Sequence, residues 1–415
     1  WATDRFRALG IAVHTESYEL PLVWLPDTAA VTALVPVPFA VPAVAAPGTA
    51  STAGPIEGAL IDVGAATDED FAKLPSGAIA LVRTTEMKTL DELFAEAMRA
   101  RALLAAGTRA GVAAIVIQSN RPGGVLYAHP MVFGRTAASI PVVLVGREHA
   151  ARLTGLRDVR LRISIVNQIR ERVRAENVVA EIRGSDRPDE IVLLGAHLDS
   201  WGLGTGANDN GVNVALVLDT ARAFRELGLR PRRTIRFVLF SGEEQGQCGS
   251  NAYVERHRSE LGRHVAAMVF DLGSGRTRGF FLNGRPELRP LVTASTIGFS
   301  AQAHSNEALD GTDNFAFLLS GVPNLVADQA MRDYLPDYHA ETDTLERVDR
   351  REAVRNAELA AVVTWRLANT QAALPRQQTR AEVSALLVAN KLVEQMRAFD
   401  QWEDWEAGRI GFPAE

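Results

Sequence analysis

The stretch Glu190-Ile-Val-Leu-Leu-Gly-Ala-His-Leu-Asp-Ser200 decides how this chain reads. From Glu190 to Gly195 it is a continuous apolar run, as expected of a strand buried on both faces in a parallel sheet. It delivers His197 just past its carboxyl end. Two later apolar runs end the same way: Arg236 to Phe240 leads through Ser241 to Glu243, and Ala266 to Phe270 leads to Asp271. Between the first two runs, Asn210 to Leu227 sets Val214, Val217, Leu218, Ala221 and Phe224 on one helical face, and Gly228 and Pro231 terminate it. Alternating strand and helix predicts an α/β fold with a mixed, largely parallel sheet flanked by helices. Such open sheets bind ligands beyond the carboxyl ends of their strands, and three strands here end at a candidate ligand.

The candidate metal ligands follow in the order His197, Asp209, Glu244, Asp271, His339. Mixed imidazole and carboxylate donors suit zinc, and two zinc ions are the cofactor expected. Two cations held together need a shared carboxylate, and Asp209 is the candidate bridge. It lies in the tight turn Gly206-Ala-Asn-Asp-Asn-Gly211, where glycine and asparagine tolerate unusual dihedrals. One ion then takes His197 and Asp271, the other Glu244 and His339. Glu243 immediately precedes Glu244, and adjacent residues leave a strand end in different directions. It is expected to act as general base, taking a proton from water as the water attacks a carbonyl. Asp199 lies two residues after His197, and Asp343 four after His339. Each is expected to fix the tautomer of its histidine from the second layer of contacts.

The composition excludes several classes. A chain of 415 residues exceeds what one core usually supports. A net charge of −6 gives no reason to propose a nucleic-acid partner. No apolar run reaches membrane-spanning length, since prolines interrupt even Ala29 to Ala46. That stretch reads as a linker or edge strands. The single Cys248 excludes an internal disulfide. The chain opens at Trp1 without a methionine, so a removed natural N-terminus is expected, and a secreted or periplasmic location with it, although a signal peptide is not observable in this sequence.

The domain reading follows from texture. Residues 1–30 and 167–415 form the catalytic domain, with 372–415 a C-terminal helical extension, and 31–166 form a smaller inserted domain. The insert carries the short strands Ala59 to Val63, Ala78 to Val82, Ala113 to Ile117 and Pro141 to Val145, with a helix from Thr89 to Ala106. It lacks clustered ligands. Asp349 caps a helix running to Leu367, and the capping box Thr379 to Glu382 starts another that runs to about Trp405. This last helix packs over the core or against a second subunit, which makes a homodimer an expectation. His257 and His264 are read as surface residues on a polar, arginine-rich helix.

The motifs His197-Leu-Asp-Ser-Trp201, Leu229-Arg-Pro-Arg-Arg-Thr234, Glu243-Glu-Gln-Gly246 and Gly311-Thr-Asp313, in this order, resemble the co-catalytic zinc exopeptidases. That family includes bacterial leucine-type aminopeptidases and glutamate carboxypeptidases, and the likeness leans to its carboxypeptidase Q branch. The resemblance implies hydrolysis of small peptides or dipeptides. It also implies that the insert is a protease-associated domain, with Ala80-Leu-Val-Arg83 and Ile140-Pro-Val-Val143 at that module's strand motifs. Tyr338, before the last histidine, resembles the glutamate carboxypeptidase branch, where a tyrosine helps hold the oxygen of the tetrahedral intermediate. Two other functions exist on this scaffold. A glutaminyl-cyclase-like aminoacyl transferase would use a single zinc, and a receptor-like binding module would show degraded ligands.

Overall fold

The computed structural model describes residues 1–133 and 136–413. Its strands are β1 (Ala12–Val35), β2 (Phe39–Val41), β3 (Ala43–Ala45), β4 (Ile56–Asp62), β5 (Ile79–Val82), β6 (Ala114–Gln118), β7 (Val142–Val145), β8 (Arg160–Ile182), β9 (Arg187–His197), β10 (Arg233–Phe240), β11 (His264–Val269), β12 (Thr277–Phe281) and β13 (Asn324–Gln329). They pair in the order β12-β13-β11-β9-β10-β8-β4-β5-β6-β7-β3, with β1 lying along β8 and β2 on β1. The β9, β10, β11 and β13 pairings are parallel, and antiparallel strands flank them. The sheet is therefore mixed, α/β and helix-flanked, as the alternation of patterns predicted.

The chain of contacts between the two halves runs through an unusually long ribbon. β1 has 24 residues and β8 has 23, and they pair antiparallel along their whole length. One end of β8 meets β10 and the other meets β4. The expected junctions at 30/31 and 166/167 thus fall inside strands. The interrupted Ala29 to Ala46 stretch belongs to β1, β2 and β3, because its prolines sit at strand ends and bends where no ladder donor is needed. On the far side β4, β5, β6 and β7 form a second parallel layer. A helix over Leu90–Ala110 covers it, started by a Thr89/Glu92 capping box and ended by Gly111 at φ 66°.

Core packing follows the apolar faces. Phe224, Phe237, Phe270 and Phe280 are buried in the main cluster between β9–β13 and the helices Val212–Glu226 and Arg350–Asn369. Each such side chain contributes about 1.5–3 kcal/mol by leaving water. Ile115, Val142 and Leu144 do the same in the second layer.

Two expectations need correcting. The C-terminal segment holds three helices, Arg380–Ala389, Leu392–Ala398 and Trp402–Glu406, where one was predicted. Lys391 and Asp400 turn the chain at φ 59° and 58°. A straight helix to Trp405 would extend roughly 39 Å at 1.5 Å per residue. The bends instead fold Val383, Leu387 and Met396 onto Phe315 and Leu319. His264 is not a surface residue either: it begins β11 and is buried, accepting from or donating to Tyr253 Oη at 2.8 Å. Its neighbours in the sequence are polar, but the register places it inward.

Candidate metal and catalytic site

The five ligand candidates converge from three strand ends and two loops. In the sheet, Phe240 stands beside His197, and Val269 beside Gly195. That register alone brings the residues after β10 and β11 to the histidine. Two groups result, His197 with Asp209 and Asp271, and His339 with Asp209 and Glu244. All are buried, and the ligand atoms within each group lie within 4.8 Å of one another. Asp209 turns one oxygen to each group, Oδ1 lying 3.2 Å from His197 Nε2 and Oδ2 3.4 Å from His339 Nε2. The outer pairs are closer, Asp271 to His197 and Glu244 to His339 both at 2.8 Å.

These short approaches leave acceptor capacity unused. Asp209 Oδ2, Glu244 Oε1 and Asp271 Oδ1 are buried without a hydrogen-bond partner. Within each group one ligand atom from every residue lies close to the others, as donors to a common cation do. Donors bound to one tetrahedral zinc at about 2.0–2.2 Å are separated by about 3.3–3.6 Å. The two Asp209 separations, 3.2 and 3.4 Å, are close to that, and the outer pairs at 2.8 Å are tighter. Charge points the same way: burial, with Asp209 nearby, pushes Glu244 well above the usual carboxylate range. Burial likewise pushes Glu243 well up and Asp271 up to about 6. Divalent cations would supply the counter-charge these groups lack.

The Asp209 turn is held from two sides. Asp343 accepts the N–H groups of Asn208 and Asp209 at 2.7 and 3.1 Å. Amides form a ladder on the other side: Asn210 donates to Phe270 O, Asn213 to Asn210, Gln329 to Asn213, and Leu272 N to Gln329. Asp271 sits between Phe270 and Leu272, so the ladder ties one ligand loop to the next. Gly206 cannot be replaced freely, since a Cβ there would lie 2.3 Å from Ser200 Oγ.

Asp199 and Asp343 therefore act on different groups from those expected. His197 Nδ1 is held by the backbone carbonyl of Asp199 at 3.0 Å, while the Asp199 carboxylate lies 3.9 Å away. That carboxylate instead receives the N–H groups of Glu243 and Glu244, both at 3.2 Å. Asp343 holds the Asp209 turn and not His339. In both cases the carboxylate accepts two backbone N–H groups of a neighbouring loop, charge-assisted bonds that hold that loop in place.

Glu243 belongs to neither ligand group and lines the same cavity, of about 480 Å³. Tyr338 lines it too, its ring stacked on His339 with centroids 3.7 Å apart. Sequence reasoning missed Tyr334, which packs edge-on against Tyr338 and reaches the Asp209 carboxylate. Its spacing of four from Tyr338, one helical turn, was the available signal. It also missed the outer wall. Leu90, Phe94 and Phe133 come from the inserted layer, and Phe399 and Ile410 from the C-terminal helices.

Residues 177–364 match the model of peptidase family M28. It is 32% identical to carboxypeptidase Q of Bos taurus over 203 residues, which are 48% of this chain and 43% of the bovine protein. It is 29% identical to the probable lipoprotein aminopeptidase LpqL of Mycobacterium tuberculosis (strain ATCC 25618 / H37Rv), over 68% of this chain and 60% of that one. The chain thus spans less than half the length of the bovine relative it matches. Among solved structures, a peptidase M28 precursor from Shewanella amazonensis SB2B superposes with a TM-score of 0.81 at 27% identity, over 91% of this chain and 89% of that one.

Proposed function

We propose that the chain is a zinc-dependent exopeptidase that hydrolyses small peptides or dipeptides, with two ions per chain. The observation that carries the reading is the pair of buried three-residue groups sharing Asp209, with Glu243 beside them in one cavity. One ion would be held by His197, Asp209 and Asp271, the other by His339, Asp209 and Glu244. When bound, the ions polarise the scissile carbonyl and make water a competent nucleophile at neutral pH. Glu243 accepts the proton of the attacking water and passes it to the leaving amine, breaking the C–N bond. Asp199 holds the backbone of Glu243 and so aims its carboxylate. The Tyr338 hydroxyl donates to the carbonyl oxygen as it becomes anionic. Residues 31–166, read as a protease-associated insert, and the extension 372–415 close the cavity and exclude water from around the reacting groups.

Similarity to both a carboxypeptidase and an aminopeptidase supports the exopeptidase class and leaves open which terminus is held. Likeness to a protein described as a lipoprotein supports export. No helix among the described residues is long and apolar enough to cross a membrane. The test combines metal analysis with turnover of dipeptides blocked separately at each end. Two zinc ions and release of free amino acids are expected. Full activity at one ion per chain, with cyclised products, would replace this reading by the cyclase-like one.

A further inference from the structure

The two candidate ligand histidines are held in different ways. His197 has a partner for its second nitrogen, the carbonyl of Asp199 at 3.0 Å. His339 has a looser hold: its Nδ1 is buried with no partner in ordinary hydrogen-bond geometry, and the backbone of Ala128 is the hydrogen-bonding group that acts on the ring. A ligating imidazole is normally oriented through that second nitrogen, and where that hold is loose the aim of the ring falls to the backbone that carries His339. That backbone is strained, since His339 stands at φ 56°, a region that residues with a Cβ seldom occupy.

We infer that Arg121, from the inserted layer, is the positioning residue for His339 and Tyr338. Its Nη2 donates to Tyr338 O at 2.8 Å and its Nε to Leu335 O at 3.3 Å. Both carbonyls belong to the turn that immediately precedes the ligand. Nη1 donates to Asn120 Oδ1 at 3.0 Å, and the guanidinium lies 3.9 Å over the ring of Tyr127. Tyr127 is itself fixed by donating to Glu96 Oε1 at 2.8 Å. On the other side of His339 the same layer grips the chain again. Ala128 N donates to His339 O at 2.8 Å, and Glu341 N to Leu126 O at 3.0 Å. Arg121 is 3% exposed, and among the described residues no carboxylate forms an ion pair with it. Burying an unpaired guanidinium is costly, and an apolar side chain would fill the space without that cost. What an apolar chain cannot do is hold two carbonyls with one planar fork.

This inference rests on the two-ion reading only in its metal arm. The experiment compares Arg121→Met and Arg121→Lys with the natural chain, full length, by hydrogen exchange of the metal-free protein and by stepwise cobalt titration. In both variants residues 334–341 should exchange at least about tenfold faster while β9 and β11 stay protected. One of the two cobalt ions should bind about 10- to 100-fold more weakly and the other as before, the usual scale for losing an outer contact of a metal ligand. Arg121→Lys tests the fork against the charge, and natural exchange and affinity in it would overturn the inference. So would unchanged exchange in Arg121→Met, or weakening of both ions by the same factor with protection lost throughout. A natural chain that never loads a second ion, yet whose variants show the local exchange effect, sinks the two-ion function and leaves the clamp standing.

Discussion

Two parallel layers meet in this molecule, and their strand ends carry opposite chemistry. β9, β10 and β11 lead to His197, Glu243, Glu244 and Asp271, the candidate acceptors and ligands. β6 leads to Asn120 and Arg121, which donate. The architecture is the same, and the side chains after the last strand residue decide what each layer does. The first layer supplies the candidate reactive groups. The second supplies apolar wall and a cation that holds the last ligand loop in place. A module without a ligand of its own is therefore part of the site.

The largest effects should fall on the first layer. Glu243→Gln should keep both ions and the fold while kcat falls by roughly 10² to 10⁴, the scale of general acid-base catalysis. Glu244→Gln should lose an ion. Metal content measured beside single-turnover rates separates the two roles, and the reverse pattern would exchange them. Next comes Tyr338→Phe, which removes one donor to the developing oxyanion and should cost about 10² to 10³ in kcat with metal content unchanged. A nearly natural kcat would leave Tyr338 as packing for His339.

Most of the first layer was legible in the sequence because its signals are local. A buried apolar run followed by His197, Glu243 or Asp271 states both the strand and where its end lies. The ladder from Asn210 through Gln329 was not legible, since its members are up to 119 positions apart and each is an ordinary amide. Arg121 and Phe94 escaped for a related reason. Nothing near them in the chain announces a site that lies across another layer. His264 misled because polar neighbours imitate an exposed helix, whereas β11 turns it inward. The long C-terminal helix failed where Lys391 and Asp400 take left-handed turns, the first at a residue type that gives no such signal and the second at an aspartate, which tolerates the conformation without requiring it.

A third expectation concerns stability in the first layer. His264 is buried neutral, donating Nδ1–H to Glu260 O and accepting from Tyr253 Oη at Nε2. Burial, aided by the nearby Arg236 charge, lowers its pKa to about 4. The unfolded chain, at the ordinary value near 6.5, then binds the extra proton first. Stability is full above pH 6.5 and falls as pH drops toward 4, by on the order of 3 kcal/mol for this group. Urea unfolding of the natural chain and of His264→Gln at pH 7.5 and 5 checks it. The difference between the two proteins should shrink on acidification, and a constant difference would show that His264 does not titrate on unfolding.

The smallest effect sharpens the comparison most. Phe94 comes from the inserted helix, lines the cavity and packs with Leu272 and Leu309, which follow the first layer's strand and loop. It touches no ligand candidate, so it can bind substrate only through area, equally in the ground state and in the transition state. Such uniform binding appears in KM and not in kcat. Phe94→Ala should raise KM about tenfold for peptides with a large apolar side chain, near the lower end of what apolar pocket contacts contribute. Glycine-only peptides should be nearly indifferent, and kcat should stay within about twofold for both. The reason for expecting so little is physical: the lost contact is one wall of a wide cavity that water can partly refill, and no buried polar group is left unpaired. If kcat fell instead, with KM steady, the inserted layer would be shaping the reacting groups through its helix as well as through Arg121. The division of labour between the layers would then have to be redrawn.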